Sequence, residues 1–410
     1  MFDVIVIGAR CAGAATALLL ARGGCKVLLV DQARFPSDLP QGHFIHWCGP
    51  RRLQRWGVLD RIVASNCPPV TDSLSHLGDF SLRVAGLSVA GVAWGYGPRR
   101  KVLDQILIDA AVEAGAEFRD GLRVEDFMAD AGRITGIRGR RQGVPLEVRA
   151  GLTIGADGRS SRLARFVRAA EYHAVPTRVC YYFSYWADVP HSGFENYRLA
   201  RRVIFAHPTN DGLFTLFVGW PVSEHAALRR DIEGALWETL DRVPELAARV
   251  RAGRRVERLY GAVHLPNFFR KPHGNGWALV GDAGYHKDPY LALGVSDALR
   301  DAELLSNAVH RGSGSGAGWN QALAEYETQR NQAALPQYEL NLRLADLSAG
   351  VPEELQAIRA AVRDDPVEAH NYCSALYGLI PAERFFNPEH LGRLLRRDAV
   401  PAAASLSARA

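Results

Sequence analysis

The chain has 410 residues, enough for two domains around a large core. Its 49 basic and 44 acidic residues leave a formal charge of +5, and arginine is scattered rather than blocked, which argues against a nucleic-acid partner. Six cysteines form no C-x-x-C pair, so no metal is expected, and no apolar run reaches the roughly 20 residues of a membrane helix.

Asp3-Val4-Ile5-Val6-Ile7 reads as a buried strand. Its start at the third residue leaves no room for a signal peptide, so a cytoplasmic chain with reduced thiols is expected. Gly8-Ala9-Arg10-Cys11-Ala12-Gly13 then opens a helix, and Val27-Leu28-Leu29-Val30-Asp31 closes the unit as a strand with an acidic end. This is a dinucleotide-binding pattern. Gly8 permits the tight turn, Gly13 lets the helix approach the sheet, and Asp31 stands where a ribose acceptor belongs. One element departs, because Arg10 occupies the middle glycine of G-x-G-x-x-G.

Residues 34–50 are rich in turn formers and aromatics and read as a functional loop holding His43 and His46. Residues 72–96 read as short strands. Val102 to Ala114 has helical spacing and ends at Gly115. A buried strand follows at Leu152 to Asp157. From about 172 to 275 the chain is β-rich and aromatic, with runs at Val179–Trp186, Val203–Ala206 and Leu213–Trp220. A helix is expected over Glu233–Val250. Gly276 to Asp282 returns to a buried strand, a long helix runs from Ser296 to His310, and Arg311–Gly318 is a loop. Helices continue to about 396.

Two more motifs accompany the first. One is Ala156-Asp157-Gly158-Arg159-Ser160-Ser161. The other is Gly281-Asp282-Ala283-Gly284, followed by Pro289 and by Gly294-Val295-Ser296-Asp297-Ala298. Three motifs in this order, over roughly residues 1–335, resemble the FAD-dependent monooxygenase superfamily with the p-hydroxybenzoate hydroxylase fold. That superfamily also holds flavin-dependent halogenases and geranylgeranyl reductases. The resemblance implies an α/β fold: a Rossmann-type FAD-binding domain, an antiparallel β-sheet substrate domain and a helical C-terminal extension. The expected boundaries are 1–171 and 276–335 for the FAD domain, 172–275 for the substrate domain, 336–399 for the extension and 400–410 for a flexible tail.

The same resemblance implies the cofactor contacts. Gly8, Ala12 and Gly13 would lie along the FAD pyrophosphate and Asp31 on the adenosine ribose. Arg100, of Arg-x-x-Leu-x-x-x-Leu, would lie near the phosphates, with Arg99 one register away. Val124 would lie near adenine, Asp157 would serve both FAD and NAD(P)H, and Asp282 would hold the ribityl hydroxyls. Gly294 and Val295 would face the flavin pyrimidine edge. Tyr285 stands where histidine is usual, with His286 next to it, and Lys287 is placed to attract a nicotinamide-dinucleotide phosphate.

The implied activity is an NAD(P)H-using monooxygenase that oxygenates an apolar, aromatic small molecule through a flavin C4a-hydroperoxide. Its partners are the substrate and molecular oxygen. His43, Tyr182, Tyr185, Trp186, Phe205, Phe217 and Trp220 are the expected substrate wall, although strand alternation lets only half of a run face one side. No residue stands out as catalytic. Three alternatives stay open. Trp94-Gly-Tyr-Gly-Pro98 is not the halogenase W-x-W-x-I-P motif, Tyr182–Trp186 only loosely echoes the prenyl reductases' Y-x-W-x-F-P, and a non-catalytic flavin-binding protein is the third.

Overall fold

The computed structural model describes all residues except 40, 78–79, 192, 314–317, 349 and 399–410. The expected tail at 400–410 and the centre of the expected loop at 311–318 therefore lie outside the described residues.

The β-branched run Phe2–Ile7 is buried on both faces, as a central parallel strand must be. It pairs in parallel with Val27–Val30 on one side and with the end of Val144–Gly155 on the other. Glu117–Arg119 and Trp277–Leu279 extend this sheet outward. The first half of Val144–Gly155 belongs to an antiparallel meander with Arg133–Arg141 and Leu122–Asp130. One face of the parallel sheet carries helix Cys11–Arg22, flanked by helices Arg100–Glu113 and Gly294–Ser313. Small side chains at Ala12, Ala14, Ala15 and Ala17 allow that close packing.

The second sheet runs Val179–Ala187, Phe214–Pro221, Arg202–Pro208, Phe194–Leu199, with every neighbour antiparallel. It then gains Asp72–His76, in parallel, and Ser81–Ala85. Residues 72–85 thus build the second sheet although they precede the expected substrate region at 172–275. The expected helix over 233–250 is two helices, Ile232–Leu240 and Pro244–Ala252, because proline cannot continue the first and starts the second. These two helices cover one side of the sheet, called the back here. The other side, the front, faces the first domain and the C-terminal helices Glu353–Arg363, Pro366–Leu376, Ala382–Phe385 and Pro388–Asp398. Among the described residues no helix is long and apolar enough to cross a membrane.

Candidate functional site

The three motifs meet at one point. Gly8 has φ +102°, and a Cβ there would lie 2.4 Å from the Ala156 carbonyl oxygen. A Cβ on Gly13 would stand 1.7 Å from the Gly8 oxygen, and one on Gly281 would stand 2.7 Å from Ala12 Cβ. Gly8, Gly13 and Gly281 therefore seal strand ends against a helix terminus with no room for side chains. No side chain caps helix Cys11–Arg22 and no acid occupies its first turn, so its amide end remains a ready anion site.

Around this cradle stand the expected cofactor residues. Asp31 accepts from the Ala9 and Ala33 N–H groups, each at 2.8 Å. Arg100 is buried and donates to Asp104 and Gln41. Burial lowers its pKa, but the Asp104 carboxylate, with Asp282 beyond it, outweighs burial and holds it charged. The next-register Arg99 leaves the cradle: its guanidinium lies 3.9 Å over the Tyr185 ring and pairs with Asp38 and Glu257. Val124 is buried with Ile5, Ile7, Leu28 and Val30 under the sheet. Asp157 accepts from the Arg162 N–H at 2.7 Å, while its other oxygen is buried without a partner and burial raises its pKa. Asp282 is half-buried in a tight turn. Gly294 opens helix Gly294–Ser313 with empty space where a Cβ would be, and Val295 beside it is buried.

Uncapped amides and a buried arginine form a donor set that fits a dinucleotide diphosphate, and the orphaned Asp157 oxygen is an acceptor that suits a hydroxyl of the same ligand. Arg10, the departure from G-x-G-x-x-G, does not obstruct it. Its guanidinium lies 4.7 Å over Phe35 and donates to the Ser37 carbonyl, the Ser37 hydroxyl and Asp104. Lys287 differs from its expected role, because it is buried and paired with Asp297, so its charge is already spent inside the protein. His286 is buried as well and bonds the Pro266 carbonyl.

The front of the second sheet carries two cross-strand rows. Phe183, Phe217, Phe205 and Asn196 are register partners along one. Tyr185, Thr215 and His207 form the next. Phe183 and Phe217 stack with centroids 4.5 Å apart. His43 packs edge-on to His207 at 5.0 Å. With its Nδ1–H donating to the Gly97 carbonyl at 3.0 Å, its Nε2 accepts from the Tyr185 hydroxyl at 3.1 Å. Burial, then the neighbouring His207 and Arg99, holds the His43 pKa far below its ordinary value, so the ring is neutral. Burial also lowers His46 to about 3 and His207 to about 4. His46 stacks on Tyr377 at 4.6 Å. A Cβ on Gly49 would come within 2.9 Å of Ser296 Oγ, so the loop holding His43 and His46 packs on the first turn of helix Gly294–Ser313.

Four of the seven expected wall residues thus come together: His43, Tyr185, Phe205 and Phe217. The other three do not join them. Tyr182, Trp186 and Trp220 have the opposite strand parity and pack on the back, beneath the two helices there. Tyr182 bonds His225 at 3.0 Å, and Trp220 Nε1 donates to Thr239 at 3.1 Å. Phe183, His207 and Asp288 escaped the sequence reading. The first two share the parity of Tyr185 and Phe205, a signal that was there to use. Asp288 is fully buried, accepts from the Tyr181 hydroxyl at 2.6 Å, and is pushed up to about 7 by burial.

A family model described as "FAD binding domain" matches residues 1–337. A digeranylgeranylglycerophospholipid reductase from Methanocella arvoryzae is 23% identical over 370 residues, covering 88% of this chain and 90% of the relative. The structure of the flavin-dependent brominase Bmp2 superposes with a TM-score of 0.79 at 18% identity, covering 97% of this chain and 99% of that one. That of pqsL, a probable FAD-dependent monooxygenase from Pseudomonas aeruginosa, gives 0.70 at 20% identity, covering 91% and 99%. At such identities the structural likeness establishes the fold alone.

Proposed function

The chain belongs to the FAD-binding domain family of FAD-dependent oxidoreductases, and from that premise we propose that it is a monooxygenase. It would oxygenate an apolar, ring-bearing small molecule, taking electrons from NAD(P)H and oxygen from O2. The observation that carries this reading is the front row Phe183–Phe217–Phe205, which faces the loop packed on helix Gly294–Ser313. Such a wall suits a planar apolar body.

Bound FAD would supply two-electron transfer and reactivity toward oxygen. The chain's own residues supply the rest. The Gly8–Gly13 turn and Arg100 would hold the diphosphate, Asp31 the adenosine ribose and Asp282 the ribityl chain. The first amides of helix Gly294–Ser313 would stabilise negative charge on the pyrimidine edge. The aromatic wall excludes water. Neutral His43, oriented by the Gly97 carbonyl, accepts the Tyr185 hydroxyl hydrogen at Nε2 and so fixes that hydroxyl at the wall.

A second reading, reduction of an alkene, draws on the name of the Methanocella arvoryzae relative and on Tyr181. Its hydroxyl, bonded to buried Asp288, is a front-face proton donor. One assay separates the two. The FAD-loaded protein is given NADH or NADPH, and oxygen uptake is followed with and without ring compounds. Substrate-stimulated uptake with a product heavier by one oxygen atom is expected. A saturated product without oxygen consumption would move the assignment to the reductase, and a protein that binds no added FAD would overturn both.

A further inference from the structure

One end of the front face holds two buried arginines with no ion-paired carboxylate among the described residues. Arg198 lies on strand Phe194–Leu199 and Arg359 on helix Glu353–Arg363, at 5% and 4% exposure. Among the described residues neither forms an ion pair. Arg198 donates only to the carbonyls of Leu199 and Asp346, at 2.8 and 3.1 Å. The Asp346 carboxylate instead faces Arg178 at 3.7 Å. Arg359 reaches the Tyr372 hydroxyl at 3.5 Å, and its Nη1 is buried without any partner.

Elsewhere buried arginines are matched. Arg100 has Asp104, and Arg300 has Asp297 and Asp301. Arg330 has no carboxylate, but its three guanidinium nitrogens all donate, to Gly284, Arg270, Tyr172 and Asn331. Among the described residues the pair at 198 and 359 is therefore singular in lacking both an ion-paired carboxylate and a full set of acceptors, the Asp346 carboxylate acting on Arg198 only from beyond ion-pair distance. Burial lowers the Arg198 pKa and the charge of Arg359 lowers it further, which places the two guanidinium groups within electrostatic reach of each other. Tyr372 and Tyr290 hold the Arg359 charge in place, and an anion between or beside the two guanidinium groups would relieve their repulsion.

The register connects this pair to the aromatic wall. Tyr181, Gly219, Val203 and Arg198 form the row next to Phe183–Phe217–Phe205–Asn196. Tyr290 bridges the two, with its ring edge-on to Phe205 at 5.6 Å and its hydroxyl acted on by both arginines. Asn196 Oδ1 is also buried without a partner. The wall is apolar in the middle and basic at one end.

We propose that Arg359 and Arg198 bind an oxyanion, a carboxylate or a phosphate monoester, carried by the apolar substrate. The proposal rests on reading the front face as the substrate wall and narrows the substrate class to amphiphilic anions. Planar guanidinium forks suit either group bidentately.

The test is calorimetric titration of the full-length, FAD-loaded protein, in buffer free of phosphate and carboxylate, with 2-naphthoate, 2-naphthyl phosphate and 2-naphthamide. One of the two anions is expected to bind at least tenfold tighter than the amide, and which one identifies the group. Arg359→Gln is expected to abolish that preference while FAD content stays the same, and Arg359→Lys to retain part of it. Should Arg359→Gln fail to fold, Arg198→Gln and Arg359→Lys carry the same comparison. Equal binding of anion and amide, no binding of any probe, or a preference that survives both glutamine variants would overturn the proposal. Because these titrations need no turnover, they stand apart from the oxygen-uptake assay. Failure there with intact anion selectivity here would remove the monooxygenase and leave the subsite.

Discussion

Gly13 admits no side chain, since its Cβ would fall 1.7 Å from the Gly8 carbonyl oxygen. Gly13→Ala is expected to push helix Cys11–Arg22 off the sheet, at a cost of about 3 kcal/mol, and to lower the FAD content of the purified protein. The flavin-to-protein absorbance ratio and a melting curve check both. Asp288 makes a different kind of demand. Its carboxyl is pushed up to about 7 by burial, against an ordinary value of 3.8. The folded state therefore holds a proton that the unfolded chain has already released. The stabilisation is complete below about pH 4 and is lost progressively as pH rises to about 7, a span of roughly 4 kcal/mol. Asp288→Asn cannot ionise and is expected to gain stability over the natural protein across that window, with the difference level above it. Urea midpoints at a series of pH values read this directly.

The strand Phe214–Pro221 shows how position on one element separates stability from binding. Trp220 is buried under the back helices with its indole N–H on Thr239, so Trp220→Ala is expected to cost about 4 kcal/mol with ligand affinity unchanged in the folded fraction. Phe217, on the front, is only half-buried. Phe217→Ala is expected to cost about 2 kcal/mol and to raise KM for a ring substrate about tenfold, roughly 1.4 kcal/mol of binding. Unfolding curves beside steady-state kinetics distinguish the two. The same strand marks the limit of what the sequence discloses. Its alternation says that Phe217 and Trp220 face apart, but parity alone does not say which faces the first domain. That depends on helices 232–252 claiming the back. The glycine motifs were legible because each is a local backbone requirement. The arginine pair was not, because β-strand residue 198 and helical residue 359 meet only through tertiary packing. Nor was the parallel pairing of Phe194–Leu199 with Asp72–His76, since nothing in either strand names its distant partner.

The C-terminal helices hold the assembly shut at the scale of the whole molecule. Tyr377 follows helix Pro366–Leu376, stacks on His46 of the loop at 34–50 and bonds Ser73 of the second sheet at 2.8 Å. Three separate parts of the chain converge on that one ring. Tyr377→Phe removes the hydroxyl and strands the Ser73 oxygen, at an expected cost of about 1 kcal/mol. Tyr377→Ala also empties the space against His46 and is expected to cost about 4 kcal/mol. If the helices act as a cover over the front face, the alanine variant is further expected to bind a hydrophobic dye that the phenylalanine variant excludes.

Most of the second sheet is inserted between two neighbouring strands of the parallel sheet. Val144–Gly155 pairs on its far side with Trp277–Leu279, and Gly281 then seats against Ala12. During synthesis the first strand, its turn and their neighbours leave the ribosome early, yet the cradle they begin has no closing strand and no helix Gly294–Ser313. All of the aromatic wall on Val179–Ala187, Arg202–Pro208 and Phe214–Pro221 emerges in between. Contacts across so long a stretch of chain form late. A nascent polypeptide of this protein thus has the whole of its aromatic wall in hand before it can close the glycine cradle.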